Sequence, residues 1–346
     1  GLGLGWVAAS EGQVQPAALA LAGGLLHVWN HALFKSLLFL GAGAVGSSAG
    51  TQNLEELGGL LQRMPWTGAC FLVGAAAICA LPPLNGFVSE FLIYLASFGA
   101  LAGSRAAPAT AFGGAIAGLA LIGGLAAACF VKATGIAFLG QPRSEAAALA
   151  REVALPMRWP MLGLAVACIV LGVAAPLGVS AALRPAQQLL PPTLDPVGAL
   201  LALRPVLWIL GGFGLAFGLG ALCLLALRRL ACRRCERPVE TWGCGYAAPT
   251  PRMQYTASSF AEPLTRLFGA VLNLRESDPK PSGVFPFPAT FTSHSRDVAE
   301  RLYAGVFAHV VRLGALLRRF ETGNAQLYVL YTVVAALSLL GWGLHN

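Results

Sequence analysis

Long runs of apolar residues alternate with short polar stretches along most of this 346-residue chain. A membrane-spanning helix needs about 17–25 predominantly apolar residues. Segments of that kind, after a shorter apolar piece at 1–9, are predicted at 17–46, 66–82, 87–104, 110–140, 159–182, 204–227 and 325–344. The pattern therefore predicts an all-α polytopic membrane protein.

Two of the predicted spans are too long for one straight crossing of a bilayer. At 1.5 Å per residue, segments 17–46 and 110–140 would each reach roughly 45 Å. We therefore expect each to tilt, to protrude from the bilayer or to contain a break. Glycines are common points of helix kinking, so the candidate break points are Gly23–Gly24, Gly123–Gly124 and Gly135.

A polar insertion occupies residues 228–324. It contains two amphipathic stretches, 256–273 and 297–320, which predict helices at the membrane interface or along a neighbouring subunit. A proline-rich piece between them, at 278–291, is expected to be extended. The chain is accordingly divided into a transmembrane core (1–140), additional transmembrane helices (141–227), a cytoplasmic-side insertion (228–324) and a final transmembrane helix (325–346).

Composition supports the membrane prediction. Apolar residues make up 56% of the chain and charged residues 11%, against about 25% charged residues in soluble domains. The net charge of +8 comes from arginines that cluster in 141–158 and 228–237. Under the positive-inside rule, these loops lie on the cytoplasmic side of an inner membrane. The apolar start is expected to be the tail of a membrane helix, and the chain the C-terminal part of a longer subunit.

Three of the eight cysteines follow a C-x2-C-x8-C pattern at Cys232, Cys235 and Cys244. Zinc sites of this spacing need a fourth ligand, and the nearest downstream histidine is His294. Metal binding is therefore not expected, and the role of these cysteines stays open.

The candidate chemistry lies in the apolar segments. The chain has only three lysines, and Lys35 and Lys132 both lie inside long apolar runs. A charge at membrane depth costs roughly 2.5–3.5 kcal/mol on insertion scales and usually marks function. His27, His31 and Lys35 follow at steps of four residues, which places them in one stripe along a helix. Because imidazole titrates near neutrality, such a stripe is suited to relaying protons.

Structural roles are the competing interpretation. A membrane histidine or lysine often serves as a hydrogen-bond partner, or its charged end reaches the interface. Glu90 follows the Pro82–Gly86 break, where a carboxylate gains about 0.3–1 kcal/mol from a helix N-terminus. For Glu90 both capping and participation in the proton path remain open.

Four motifs carry a specific resemblance. They are HxxxHALFKxLLFLGAG (His27–Gly43), LxxLGGLxxRMPWT (Leu54–Thr67), LPPLNGFVSEF (Leu81–Phe91) and GCGYAAPTPRMQYTASSFAEPL (Gly243–Leu264). The first three resemble the antiporter-like membrane subunits of respiratory complex I, Mrp-type cation/proton antiporters and membrane-bound nickel–iron hydrogenases. The fourth is similar to the large antiporter-like subunit of hydrogenase-4 and formate hydrogenlyase.

This resemblance implies two inverted helix repeats, each with a broken helix, of which the chain supplies the second. It implies that Lys35 is the central lysine, His27 and His31 its relay partners, and Lys132 a lysine near the exit. The subunit would translocate protons in an energy-converting hydrogenase-type complex without binding a redox cofactor. Its partners would be other membrane subunits and, indirectly, hydrophilic hydrogenase and iron–sulfur subunits. A stand-alone cation/proton antiporter and a non-conducting scaffold are the alternatives.

Overall fold

The computed structural model describes residues 1–190, 197–232, 250–272, 275–277, 292–294, 298–318 and 325–345. Within these ranges the chain is helical, apart from a 3₁₀ turn at Pro251–Met253 and a short antiparallel strand pair, β1 (Arg275–Ser277) and β2 (Thr292–His294). The helices are α1 (Leu2–Ser10), α2 (Val14–Ala49), α3 (Leu60–Arg63), α4 (Pro65–Ile78), α5 (Asn85–Leu101), α6 (Ala106–Phe138), α7 (Glu145–Leu149), α8 (Leu155–Val173), α9 (Ala175–Gln188), α10 (Val197–Cys232), α11 (Ala257–Leu267), α12 (Gly269–Leu272), α13 (Val298–Leu317) and α14 (Ala325–His345).

Among the described residues, four helices are long and apolar enough to cross a membrane: α2, α6, α8 and the part of α10 from Ala202 to Ala231. Shorter apolar helices are Pro65–Ile78, Asn85–Leu101 and Gln326–Trp342. The prediction of an all-α polytopic membrane protein is confirmed. The chain forms two compact units, Gly1–Phe260 and Ala261–Asn346, and the finer domain boundaries stay predictions.

Helix α2 is the centre of the first unit, where α1, α4, α5, α8 and α9 pack against it. Its apolar side chains enter two buried clusters. One surrounds Phe34 and Leu37, and the other surrounds Leu21 and Leu26. Because the stripe of ionisable residues lies on this same helix, the packing of α2 decides which polar groups face the stripe.

The predicted glycine breaks are wrong. Helices α2 and α6 run without interruption through Gly23–Gly24, Gly123–Gly124 and Gly135. In α2 the glycine pair has a different use, because a Cβ on Gly23 would lie 2.9 Å from the Leu92 Cβ of α5. Small residues let neighbouring membrane helices approach closely, so this pair is a contact surface of α2.

The predicted span 159–182 is wrong as one helix. Helix α8 ends at Val173, and α9 begins at Ala175 with Pro176 in its first turn. Proline has no backbone N–H to donate to the preceding turn, and it disfavours helical geometry in the residue before it. The α8 helix therefore does not continue through Ala174, whose ψ of 39° is not helical.

Both amphipathic stretches of the polar insertion contain helices among the described residues. The first contains α11 and α12, and the second contains α13. Large apolar side chains of α13, including Tyr303, Val306, Phe307 and Val310, are exposed. The proline-rich piece at 278–291 lies outside the described residues.

Candidate proton-relay site

His27, His31 and Lys35 form the predicted stripe on α2. The imidazole centroids of His27 and His31 are 6.1 Å apart. The buried Phe34 ring stands edge-on to both, 6.2 Å from His27 and 5.3 Å from His31. Phe34 thus keeps the two imidazoles on one side of the helix, with apolar packing behind them.

The stripe is not deeply buried within this chain. His27 and Lys35 are half-buried and His31 is exposed. The neighbouring Trp29 and Phe39 are 66% and 72% exposed. The structure therefore places the stripe at the edge of the helix bundle, on a face that the described residues leave uncovered.

A buried polar node on α2 and α5 adjoins the stripe, and the sequence prediction missed most of it. Asn30, Asn85 and Ser89 are all at most 1% exposed. The Asn30 amide Nδ2 donates to the Asn85 carbonyl at 2.7 Å and to Ser89 Oγ at 3.3 Å. Ser89 Oγ lies 3.0 Å from His27 Nδ1. Asn85 Oδ1, also buried, has no hydrogen-bond partner among the described residues.

Buried polar groups are expensive unless hydrogen-bonded, so this node ties the first imidazole to α5. The signal available in the sequence was the spacing alone: Asn30 stands three residues after His27, between the two histidines. Nothing in the sequence paired Asn30 with Asn85 and Ser89, 55 and 59 positions away.

Lys35 has no hydrogen bond or ion pair with any residue that the structure describes. Its Nζ lies 5.7 Å from the centroid of the Phe39 ring, a distance at which a cation and an aromatic face attract each other. No carboxylate of the described chain neutralises this lysine, so its charge is not held in a fixed ion pair here.

Lys132 lies on α6, which packs mainly against α4 and α5. It is half-buried, and the structure shows no hydrogen bond or ion pair for it within the described ranges. The most apolar part of α6 has no buried residue. Lys132 and the α2 stripe are thus on different helices, and no hydrogen bond joins them.

Glu90 does not cap a helix start. Helix α5 begins at Asn85 and has no acidic residue in its first turn, which leaves Glu90 in the second turn. The interaction of a charge with a helix terminus fades within one turn, so the capping interpretation is wrong. The half-buried Glu90 makes no hydrogen bond among the described residues.

A different acid caps a helix. Glu152 accepts hydrogen bonds from the backbone N–H groups of Trp66 and Thr67, at 2.8 and 3.3 Å, and from the Thr67 hydroxyl at 2.6 Å. These are groups of the first turn of α4, whose N–H groups have no partner within the helix. The carboxylate thus fixes the start of α4 from 85 residues away.

We expect Glu152→Ala to lower the stability of the subunit by about 1–2 kcal/mol, the usual cost of losing a helix cap. The physical reason is that two N–H groups and a hydroxyl lose their acceptor. Thermal unfolding in detergent of the purified complex measures the change. Glu11→Ala is the matched control, because Glu11 makes no side-chain hydrogen bond in the described structure. Equal melting temperatures for wild type and Glu152→Ala would contradict the capping role.

Polar contacts join loop residues of two of the motifs. Arg143 donates to the carbonyls of Leu57, at 2.6 Å, and Tyr255, at 3.0 Å. Glu55 accepts from the backbone and hydroxyl of Ser258, at 2.8 and 2.6 Å. The described part of the Gly243–Leu264 motif is therefore joined to the Leu54–Thr67 motif by polar contacts.

The remaining candidates are cysteines and histidines outside the stripe. Cys232 ends α10, and Cys235 and Cys244 lie outside the described residues. His309 is exposed, with Nδ1 2.9 Å from the Gly305 carbonyl. Among the described residues, no group of three or more metal-ligating side chains is close enough to hold an ion.

An apolar helix bundle with an ionisable stripe on its central helix is the architecture of a polytopic membrane protein that carries titratable groups inside its apolar segments. Residues 12–106 match the transmembrane family described as NADH:quinone oxidoreductase/Mrp antiporter. This is the family that the motifs of the chain resemble, and the resemblance is confirmed.

Several curated relatives match most of the chain, among them two from one bacterium. Hydrogenase-4 component B of Escherichia coli K12 is 34% identical over 348 residues, which cover 93% of this chain and 49% of that protein. Formate hydrogenlyase subunit 3 of the same organism is 39% identical over 282 residues, covering 80% and 44%. The chain thus spans about half the length of the curated relatives it matches.

A solved structure supports the fold. The membrane-bound sulfane sulfur reductase, an archaeal respiratory membrane complex, contains a chain that matches with a TM-score of 0.55. The match covers 93% of this chain and 48% of that one, at 21% sequence identity. At this identity the likeness concerns the fold alone.

Proposed function

We propose that the chain is part of a proton-translocating membrane subunit of an energy-converting, hydrogenase-type complex. The observation that supports this most is the stripe of His27, His31 and Lys35 on an uninterrupted apolar helix, with a lysine that no described carboxylate neutralises. A fixed structural charge would be expected to have a counter-ion. A proton carrier needs to exist in both the charged and the neutral state.

The stripe supplies groups that accept and release protons. The two imidazoles are 6.1 Å apart between centroids and share no hydrogen bond, so transfer between them requires a bridging water. Lys35 continues the series one turn further along the helix. A change of charge in a neighbouring subunit alters the balance between protonated and neutral amines, because like charges disfavour the charged form.

The relatives support the hydrogenase-type assignment, because both are named as components of hydrogen-metabolising systems and match most of the chain. The subunit itself binds no redox cofactor in this proposal. Its partners are other membrane subunits of the same complex, and hydrophilic hydrogenase and iron–sulfur subunits act on it indirectly. Its location is the inner, cytoplasmic membrane. The exposed apolar side of α13 is the surface proposed to meet a neighbouring membrane subunit.

Redox-driven acidification of inverted vesicles that carry the full complex tests the proposal. Variants of Lys35 and Lys132 are compared with wild type, and co-purification of the partner subunits monitors assembly. Persistent acidification in both variants would favour a scaffold. Acidification that requires Na⁺ would favour the cation/proton antiporter alternative.

Lys132→Met is expected to reduce acidification strongly while leaving assembly intact. The reason is that Lys132 is the second amine without a counter-ion in an apolar helix, and methionine removes its proton-binding group at nearly equal length. Proton translocation per electron transferred is the quantity to measure. Lys280→Met, which changes the chain's only lysine outside the apolar segments, serves as the control. An unchanged ratio in Lys132→Met would remove this residue from the proposed path.

A further inference from the structure

The hydrogen bonds around Ser89 determine which nitrogen of His27 carries the proton in the neutral ring. Ser89 Oγ has three polar neighbours: the Gly86 carbonyl at 3.0 Å, His27 Nδ1 at 3.0 Å and Asn30 Nδ2 at 3.3 Å. A hydroxyl has one proton to donate and two lone pairs that accept. The three contacts therefore limit which atom donates and which accepts in each hydrogen bond.

The first two roles follow from the partners. The Gly86 carbonyl can only accept, so it takes the Ser89 proton. The Asn85 carbonyl can only accept, so the Asn30 atom that lies 2.7 Å from it is the amide nitrogen Nδ2. The same nitrogen therefore donates to Ser89 Oγ. One lone pair of Ser89 then remains, and it faces His27 Nδ1. All three contacts are hydrogen bonds only if His27 Nδ1 carries a proton.

We infer that Ser89 is a positioning residue that holds neutral His27 as the Nδ1–H tautomer, so that Nε2 is the atom that gains and loses the relayed proton. This inference rests on the proposed function for its consequence, but the tautomer itself does not. Protonation at Nε2 gives the imidazolium with its Nδ1–H bond to Ser89 unchanged. Loss of the same proton restores the starting state.

The hydrogen bonds around Ser89 also exclude proton transfer through His27 Nδ1. A proton leaving Nδ1 would have to pass through Ser89 to the Gly86 carbonyl, and a backbone carbonyl does not pass protons on. His27 therefore loads and unloads at Nε2 rather than conducting a proton through both ring nitrogens. Removing the Ser89 hydroxyl would free the ring to rotate and to change tautomer.

The chain offers a matched control on the same helix. Ser97 is, like Ser89, fully buried on α5, and its hydroxyl donates to the Ile93 carbonyl at 2.8 Å. Unlike Ser89, it has no side-chain hydrogen-bond partner in the described structure. Ser89→Ala and Ser97→Ala therefore remove the same atom from the same helix, and only the first removes a contact to His27.

The test uses the full complex with ¹⁵N-labelled histidine, in which the His27 signals are assigned by difference against His27→Gln. We expect Nδ1–H in neutral His27 of the wild type and of Ser97→Ala, and loss of that tautomer in Ser89→Ala. An Nε2–H wild type, or an equal change in Ser97→Ala, would overturn the inference. Because this measurement needs no proton translocation, it separates the inference from the proposed function.

A double-mutant cycle on proton translocation tests the consequence. Ser89→Ala is expected to lower the rate about tenfold, by analogy with the low end for groups that orient metal-ligating histidines, and to have no further effect in His27→Gln. Equal losses in both backgrounds would show that Ser89 acts through packing alone and would overturn its positioning role. If His27→Gln itself translocates at the wild-type rate, the proposed path fails at His27 while the tautomer result stands.

Discussion

Lys35→Met is expected to abolish redox-driven proton translocation while the complex still assembles. Methionine matches the length and flexibility of lysine and suits an apolar helix, so α2 and its packing should be retained. What is lost is the amine that continues the series of His27 and His31, one helical turn beyond the second imidazole. The measurement is acidification of inverted vesicles, with partner subunits quantified in the same preparation.

Lys35→Arg separates proton exchange from fixed charge. Arginine keeps the positive charge but stays protonated at any working pH, so it cannot release a proton. We expect Lys35→Arg to be as inactive as Lys35→Met, and Lys280→Met to be as active as wild type. Translocation by the arginine variant would mean that Lys35 supplies only an electrostatic field, and the relay would then have to bypass it.

Of the substitutions proposed, Gly172→Ala is expected to lower the stability of the subunit most. A Cβ on this buried residue of α8 would lie 1.8 Å from the Pro83 carbonyl oxygen and 2.7 Å from the Leu84 Cα. These are backbone atoms of the turn that leads into α5, so no flexible side chain can give way. Overpacking of this kind costs typically 1–3 kcal/mol and occasionally more, and we expect the upper end of that range.

The consequence should reach the site, because this turn precedes Asn85 and Ser89. Thermal unfolding in detergent and the yield of assembled complex are the measurements. Gly163→Ala, on the exposed face of the same helix with nothing within 4 Å of its Cβ, is the control. It should be neutral or stabilising by up to about 1 kcal/mol, since alanine favours helix over glycine. Equal stability of the two variants would contradict the close contact.

Much of the fold could be predicted because a membrane helix is specified locally. Twenty consecutive apolar residues are sufficient to identify a span, and the long helices α2 and α6 appear where the pattern places them. The breaks were harder to predict. Gly23–Gly24 looks like an interruption in the sequence, but it serves as a contact surface for α5 and α1, and Pro176 ends a helix that the apolar pattern continues.

The candidate site, like the fold, could be predicted only in part from the sequence. The stripe of His27, His31 and Lys35 follows from spacing, since four residues are close to one helical turn. Of the two roles left open for Glu90, capping fails because α5 begins at Asn85, five residues before it. The cap on α4 comes instead from Glu152, and no local pattern connects that residue with Trp66 and Thr67.

The sequence by itself determined the all-α membrane class, most of the long helices, the family resemblance and the ionisable stripe. All of these depend on local composition, on periodicity or on short motifs. Only the tertiary structure decided which polar groups meet: Asn85 and Ser89 against α2, Glu152 at the start of α4, and Arg143 between two loops. The physical reason is that hydrogen bonds between distant segments depend on how helices pack, and helix packing follows from side-chain shape that a linear pattern does not contain.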